Sequence, residues 1–261
     1  MDRTMKRTLL SLALVGLLVA PALADSSLSG EDIVRKASDQ NQVGLSAGEA
    51  MMVMKIQTPG GEILKRKLRI RAASKDGLAQ LRMTFVEPQD QRGIEVLMLE
   101  QKGGQNLQYL YLPSFKKVRR ISGSAKNGRF EGSDFTYADM ESRDISEGTY
   151  KRLEDETYGK QAVYRVDVSP KKKADEKYSL VQMWVSKKAW LPLKVVFFDH
   201  QKRKAKQLKV KRLKKVNGRY VVTRAVMKNL IKGSETELSI TDINDSIAFP
   251  PHIFLSGNLG K

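Results

Sequence analysis

Ala50-Met51-Met52-Val53-Met54-Lys55-Ile56-Gln57-Thr58-Pro59-Gly60-Gly61-Glu62-Ile63-Leu64-Lys65-Arg66-Lys67-Leu68-Arg69-Ile70-Arg71 is the stretch that decides the fold. Ala50, Met52, Met54 and Ile56 alternate with Met51, Val53 and Lys55. After the Pro59-Gly60-Gly61 turn, Leu64, Leu68 and Ile70 alternate with Lys65, Lys67, Arg69 and Arg71. A period of two on both sides of a Pro/Gly turn marks a β-hairpin with one apolar face.

The same rhythm continues outward. Leu81, Met83 and Phe85 form a third strand, Ile94 to Met98 a fourth, and Leu107 to Leu112 a fifth, with turns around Pro88–Gly93 and Gly103-Gly104. Further strands are predicted over Val163–Val168, Leu180–Val185, Leu193–Phe198, Lys206–Leu213, Arg219–Met227 and Glu235–Ile243. Asn217-Gly218 is the strongest hairpin signal in the chain. Ahead of the sheet, Ser29 followed by Asp32 reads as a capping pair for a helix that runs to about Gln42 and turns Ile33, Val34 and Ala37 inward. Pro113 to about Thr157 breaks the alternation and is predicted as an irregular insertion with short helical pieces, one near Tyr137–Arg143. Strands joined by short turns, without alternating helices, give a mainly β (α+β) fold built on one antiparallel sheet. Such a sheet covers its apolar face only by curling around something.

The first residues set the compartment. Arg3, Lys6 and Arg7 precede an apolar run from Leu9 to Val19, and Ala22-Leu23-Ala24 supplies the small residues that a signal peptidase accepts. The run is shorter than the roughly 20 residues needed to span a bilayer. Residues 1–24 are therefore expected to be a secretory signal peptide, and 25–261 a single domain released in the periplasm. The chain has no cysteine, which excludes a disulfide, a thiolate nucleophile, a cysteine metal site and a lipid-bearing cysteine. It carries 47 Lys+Arg against 29 Asp+Glu, a net charge of +18. Without Asp2, Arg3, Lys6 and Arg7 the remainder keeps 44 basic and 28 acidic residues, a net +16. Nucleic acid is not expected as a partner outside the cytoplasm. Phospholipid head groups, membrane surfaces and acidic proteins are the anionic partners that remain.

Catalytic groups are scarce, and no enzyme is expected. His200 and His252 sit in turn-like contexts, outside any nucleophile or metal motif. Glu154 and Glu156 lack surroundings that would desolvate them. Gly123 to Gly128 imitates a phosphate-binding loop, but Arg129-Phe130 stands where Lys and Ser/Thr are required. No catalytic residue, cofactor or metal is assigned.

Two features are left. Met51, Met52, Met54, Met83 and Met98, with Phe85, Tyr109 and Tyr111, make the early strands rich in adaptable apolar side chains, which suits a variable apolar ligand. Lys202 to Lys215 is a basic run without an acid, either a solvated charged edge or an approach surface for anionic lipid or an acidic partner.

Tyr109-Leu-Tyr-Leu-Pro113, Lys116-Lys-Val-Arg-Arg-Ile-Ser122 and Phe130-Glu-Gly-Ser-Asp-Phe-Thr-Tyr-Ala-Asp-Met140 resemble the motifs of the outer membrane lipoprotein-sorting, LolA-like family. Trp190-Leu-Pro-Leu193 and the ending Phe249–Leu259 extend the resemblance more loosely. Ala138 between Tyr137 and Asp139 is a departure from the family pattern. The resemblance implies a curved, incomplete antiparallel β-barrel with an N-terminal helix and a helical or irregular lid. It also implies a soluble periplasmic carrier of lipid or acylated protein, loaded by an inner-membrane transporter and unloaded at an outer-membrane acceptor, and a monomer is expected. A lipid sensor or envelope-protein interaction module on the same fold is the alternative. On the carrier reading, Met52, Met54, Leu68, Ile70, Met83, Phe85, Val96, Met98, Tyr109 and Tyr111 line the cargo cavity. Pro113, Phe115, Lys116, Lys117, Arg119, Arg120, Asp134 and Phe135 form its lid and rim. Asp134 is expected to accept backbone hydrogen bonds in a turn, and Phe135 to anchor the lid.

The leader makes a direct prediction. The exported protein should begin at Asp25 on N-terminal sequencing; a membrane-bound product that retains Met1 contradicts it.

Overall fold

A computed structural model describes residues 28–39, 47–103, 106–140, 148–171 and 177–261. The expected leader, the expected end of the first helix near Gln42 and residues 141–143 of the expected helical piece lie outside the described residues.

The helix α1 (Gly30–Asp39) is set by its capping pair. The Asp32 N–H donates to Ser29 Oγ at 3.1 Å, and the Ser29 N–H donates back to Asp32 Oδ2 at 3.1 Å. Two otherwise orphaned donors are thereby satisfied. Ile33, Val34 and Ala37 are buried, as one apolar stripe requires.

Thirteen strands follow: β1 (Gly48–Gln57), β2 (Ile63–Lys75), β3 (Leu78–Glu87), β4 (Glu95–Leu99), β5 (Leu107–Leu112), β6 (Lys117–Ile121), β7 (Gly148–Tyr158), β8 (Gln161–Pro170), β9 (Leu180–Ser186), β10 (Pro192–Phe198), β11 (Lys204–Val216), β12 (Arg219–Asn229) and β13 (Ser234–Asn244). They form one curved sheet in the order β6-β5-β4-β3-β2-β1-β13-β12-β11-β10-β9-β8-β7, with β6 and β7 as its unpaired edges. Every neighbouring pair is antiparallel. Asn217 and Gly218 take φ of 44° and 85°, the positive pair that a two-residue hairpin turn demands.

The register stacks apolar side chains in rows across the inner face. Ile240, Met52, Leu68 and Phe85 are successive partners from β13 to β3. Thr236, Met227, Leu208, Val195, Met183 and Val166 continue a row from β13 to β8. Such cross-strand neighbours are the unit of sheet stabilisation.

Two strands fall inside the segment that the sequence pattern reads as irregular. In β6 only Ile121 is buried, and β7 is GTYKRLEDETY with a mostly solvated surface. Both are edges, and edge strands carry charge because it blocks pairing with another chain. That charge erases the alternation by which the other strands are recognised.

The part that is irregular, Ser122–Met140, is a strap over the inner face. It contains three short 3-10 turns, Gly123–Asn127, Phe130–Gly132 and Ala138–Met140. Phe130, Phe135 and Tyr137 point into the core. Phe130 meets Tyr137 edge-on at 5.4 Å and lies 6.3 Å from Phe85. A polar latch fixes the strap to the sheet. Asp134, 1% exposed, accepts from Ser234 Oγ at 2.5 Å and from Thr236 Oγ1 at 2.8 Å. Its own N–H donates to Thr236 Oγ1 at 2.9 Å. The expected backbone partners of the Asp134 carboxylate are thus replaced by β13 hydroxyls. From β11, Lys206 Nζ donates to the Asp134 carbonyl at 2.5 Å and pairs with Asp139 Oδ2 at 3.2 Å.

The outer face is covered over β3 to β5 by the C-terminal segment. Phe254 and Leu259 pack there with Leu97, Tyr109 and Tyr111. Beneath them Arg82 forms a buried two-pronged pair with Glu95, at 2.7 and 2.8 Å. Arg82 also donates to the carbonyls of Ile253 and Asn258, while the Gly260 N–H donates to Glu95 Oε2 at 2.7 Å. A Cβ at Gly260 would lie 2.2 Å from the Tyr111 ring.

The latch gives the next prediction. Lys206→Ala leaves Asp139 buried beside an apolar wall without its cation, a change that costs about 3–5 kcal/mol when such a pair is broken. Denaturant unfolding should register that loss, and limited proteolysis should cut the strap faster. Unchanged stability and protection would mean that the strap is held without the latch.

Candidate ligand cavity

Between the strap, α1 and the inner face lies a cavity of about 200 Å³. Its walls come from β8 to β13: Val168, Val181, Met183, Val195, Phe197, Leu208, Val210, Met227, Leu238 and Ile240 among others. Val34 and Ala37 of α1 form one part of the roof, and Phe135, Ala138 and Met140 of the strap form another. Met52 reaches it from β1. The sequence builds this shape simply. Strands β9, β10 and β12 contribute medium-sized aliphatic side chains, and the strap crosses above them without filling the space.

The cavity is on the other half of the sheet from the one expected. Of the ten predicted lining residues, Met52 alone borders it. Met54, Leu68, Ile70, Met83, Phe85, Val96 and Met98 do share the inner face, but they are packed solid within the core cluster that includes Phe130 of the strap. Tyr109 and Tyr111 lie on the outer face: Tyr109 is the partner of Leu97, and both tyrosines pack under the C-terminal segment. The inner positions of β5 are Gln108 and Leu110, opposite Met98 and Val96. Gln108 is fully buried and its Nε2 donates to the Tyr137 carbonyl at 2.9 Å.

The predicted lid residues separate as well. Phe135 borders the cavity, and Asp134 sits beside it in the latch. Pro113, Phe115 and Lys116 instead make the β5–β6 turn. Lys117, Arg119 and Arg120 are exposed on edge strand β6. None of these six borders the cavity. The residues that pattern reading missed, such as Val195 and Phe197, lie in Val195-Val196-Phe197-Phe198, an apolar run whose inner face no alternation can assign. A signal was available in Met183 and Met227, methionines of the same kind as those emphasised in the first half.

The electrostatics suit an apolar guest. The one charged side chain in the wall, Asp139, is already paired with Lys206. Its second oxygen, Oδ1, is buried without a hydrogen-bond partner. Nearby, burial and then the Lys206 charge push the Lys177 ammonium below its ordinary pKa. Burial and then Glu131 push the Tyr137 phenol well above its ordinary value. His200 and His252 are exposed and away from the cavity. On the outer face Glu156 accepts from Trp184 Nε1 at 2.8 Å and from Arg165 at 2.6 Å, and chiefly the Trp184 bond holds its carboxyl below the usual range. Among the described residues no group of three His, Cys, Asp or Glu side chains is arranged to hold a metal ion. No helix of the described residues is long and apolar enough to cross a membrane.

A DUF1329 family protein from Desulfovibrio piger is similar in structure, with a TM-score of 0.79 and 26% identity over 88% of this chain and 97% of that one. A domain from Vibrio parahaemolyticus, provisionally assigned to outer membrane lipoprotein sorting, superposes with a TM-score of 0.81 and 27% identity over 89% and 98%. A LolA superfamily protein from Nitrosomonas europaea shares the fold, with a TM-score of 0.67 and 17% identity over 88% and 98%. No curated protein matches the sequence. A family model described as "Uncharacterized protein" matches residues 77–261. The chain belongs to that family, and its fold is the LolA-like fold of the lipoprotein-sorting proteins.

Proposed function

We propose that the protein is a periplasmic carrier that holds a lipid, or the acyl chains of a lipoprotein, in this cavity and moves them between the inner and outer membranes. The observation that carries the reading is the apolar space under the strap. Apolar voids in a well-packed interior are costly, because their walls lose contacts and nothing polar replaces them. A protein that keeps one of about 200 Å³ has a use for it. An apolar cavity of about 150 Å³ already takes up benzene, whereas sites that enclose a larger organic ligand run to roughly 300–1,000 Å³. The cavity therefore fits a short piece of chain as it stands, and a full acyl chain needs the roof to move. The roof suits that: the strap joins the sheet through the Asp134–Lys206 latch, the Gln108 bond to the Tyr137 carbonyl and a few aromatic side chains, and α1 adds a short apolar stripe. Met52, Met140, Met183 and Met227 on the walls can repack around guests of different shape.

Similarity to a domain provisionally assigned to lipoprotein sorting supports the choice of cargo. The charged, apolar and small-residue order of residues 1–24 supports the periplasmic compartment, and the residues 25–261 are read as one carrier domain. An inner-membrane transporter as donor, an outer-membrane acceptor and a monomeric state are parts of this proposal. A sensor on this fold would bind the same cargo without transferring it, so transfer of a labelled lipid between vesicle populations separates the two.

Filling the cavity tests the proposal. Val181→Trp places a large ring where there is space, so melting should shift little, while partition of a fluorescent acyl probe should fall by about tenfold or more. A residue such as Met83 lies in packed core, and the volume-conserving Met83→Leu should leave probe uptake near that of the parent. Equal probe uptake by Val181→Trp and the parent, both folded, would sink the carrier reading.

A further inference from the structure

The antiparallel order puts six turns at one rim of the sheet: β1–β2, β3–β4, β5–β6, β8–β9, β10–β11 and β12–β13. Five of the seven large hydrophobic side chains that the described residues expose are at this rim: Ile63, Leu64, Phe115, Leu230 and Ile231. Phe115 is 67% exposed, Ile63 60% and Ile231 53%. The register places their turns side by side. Gln57 pairs with both Ile63 and Glu235, which joins the β1–β2 turn to the start of β13. The Leu230 N–H donates to the Ala205 carbonyl, which brings the β12–β13 turn against the start of β11. A Cβ on Gly93 would touch Pro113, which brings the β3–β4 turn against the β5–β6 turn.

The opposite rim differs. Its described turns contain Asp76-Gly77, Gly159-Lys160 and Asn217-Gly218, and no large hydrophobic side chain is exposed on them. The asymmetry is therefore not a general property of the hairpin tips.

Charge accompanies the apolar tips. Lys65, Lys116, Lys202 and Lys232 are exposed at the same rim and have no ion pair among the described residues. Of the rim's acids, Glu87, Asp199 and Glu235 are already matched with Lys67, Arg203 and Lys228, and Glu62 and Asp90 have no ion pair among the described residues, which leaves the four lysines against two acids. A row of protruding apolar side chains interleaved with unmatched lysines is what a membrane surface of anionic lipid selects: the tips enter the head-group boundary while the ammonium groups stay among the phosphates. We propose that this rim docks the protein directly on a bilayer surface rich in anionic phospholipid. The docking is separate from the cargo cavity and does not depend on it.

Co-sedimentation with vesicles of phosphatidylcholine alone, and of phosphatidylcholine with phosphatidylglycerol, tests it on the mature protein without added cargo. The parent should bind the phosphatidylglycerol vesicles and not the neutral ones. Lys202→Glu with Lys232→Glu should weaken that binding by about tenfold or more. Phe115→Ser with Ile231→Ser should weaken it comparably, with an unchanged circular dichroism spectrum, because these side chains support nothing in the fold. Lys160→Glu on the opposite rim should bind like the parent. The proposal is overturned if the parent ignores anionic vesicles or binds both kinds equally. It is equally overturned if Lys160→Glu loses as much as the rim pair, which makes net charge the cause. Loss with the lysine pair but none with Phe115→Ser/Ile231→Ser also overturns it, and points to an acidic protein partner. None of these readouts involves the cavity, so they are independent of the acyl-probe result.

Discussion

A thirteen-stranded sheet whose edge strands do not meet has to bury its inner face with something other than sheet. That constraint governs the rest of this structure. Closing the barrel would satisfy the edges, but would leave an interior that side chains must fill. Left open, the sheet needs a cover, and the cover must attach where the sheet is apolar. Here α1 and the strap supply it by different means. The helix contributes Ile33, Val34 and Ala37, a narrow stripe. The strap contributes Phe130, Phe135 and Tyr137, and it brings a backbone whose polar groups must be satisfied on arrival. Asp134 meets that demand by exchanging three hydrogen bonds with Ser234 and Thr236. Lys206 takes up the Asp134 carbonyl and the Asp139 carboxylate together.

The two halves of the sheet then diverge. Over β2 to β4 the strap lies tight, and Phe130 closes against Phe85. Over β8 to β12 it stands off, and α1 only partly closes the gap. The same covering segment thus makes a solid core on one side and a cavity on the other. The latch sits near the boundary between them, on β11 and β13, so the part of the strap that follows it, Phe135 to Met140, is also the part that roofs the cavity. A roof hinged on a polar latch can shift without opening the packed half of the core.

Much of the sheet is legible in the sequence. Eleven strands are recognised there, together with the hairpin at Asn217-Gly218 and the helix start at Ser29. The two strands that escape, β6 and β7, are the edges, where Lys117-Val118-Arg119-Arg120 and Lys151-Arg152-Leu153-Glu154-Asp155-Glu156 answer to solvent and not to a core. The position of the cavity escapes for a different reason. Alternation states which residues share a face, not whether that face is packed or empty, and emptiness here depends on where the strap comes to rest. Tyr109 and Tyr111 lie on the outer face, against the expectation from alternation, because β4 and β5 are locally ambiguous. Val96 and Leu97 are both 0% exposed, because strap and C-terminal segment cover opposite faces of β4. Where both faces are buried, the period of two no longer distinguishes them. The inner face of β5 moreover holds Gln108, a polar residue whose side-chain amide donates to the Tyr137 carbonyl, as a buried polar group requires.

The latch also lies close to the apolar rim. Leu230 and Ile231 form the β12–β13 turn, Gly233 completes it, and Ser234, which holds Asp134, is the next residue. Lys206 stands near the start of β11, one residue beyond Ala205, whose carbonyl accepts from the Leu230 N–H. Two of the strap's partners, Ser234 and Lys206, therefore lie next to the ends of the turn that protrudes at the rim, and Thr236 is two residues further along β13. The strap's anchorage and the rim are thus neighbours in the chain, although the cavity that the strap roofs lies on the inner face and the protruding tips lie outside it.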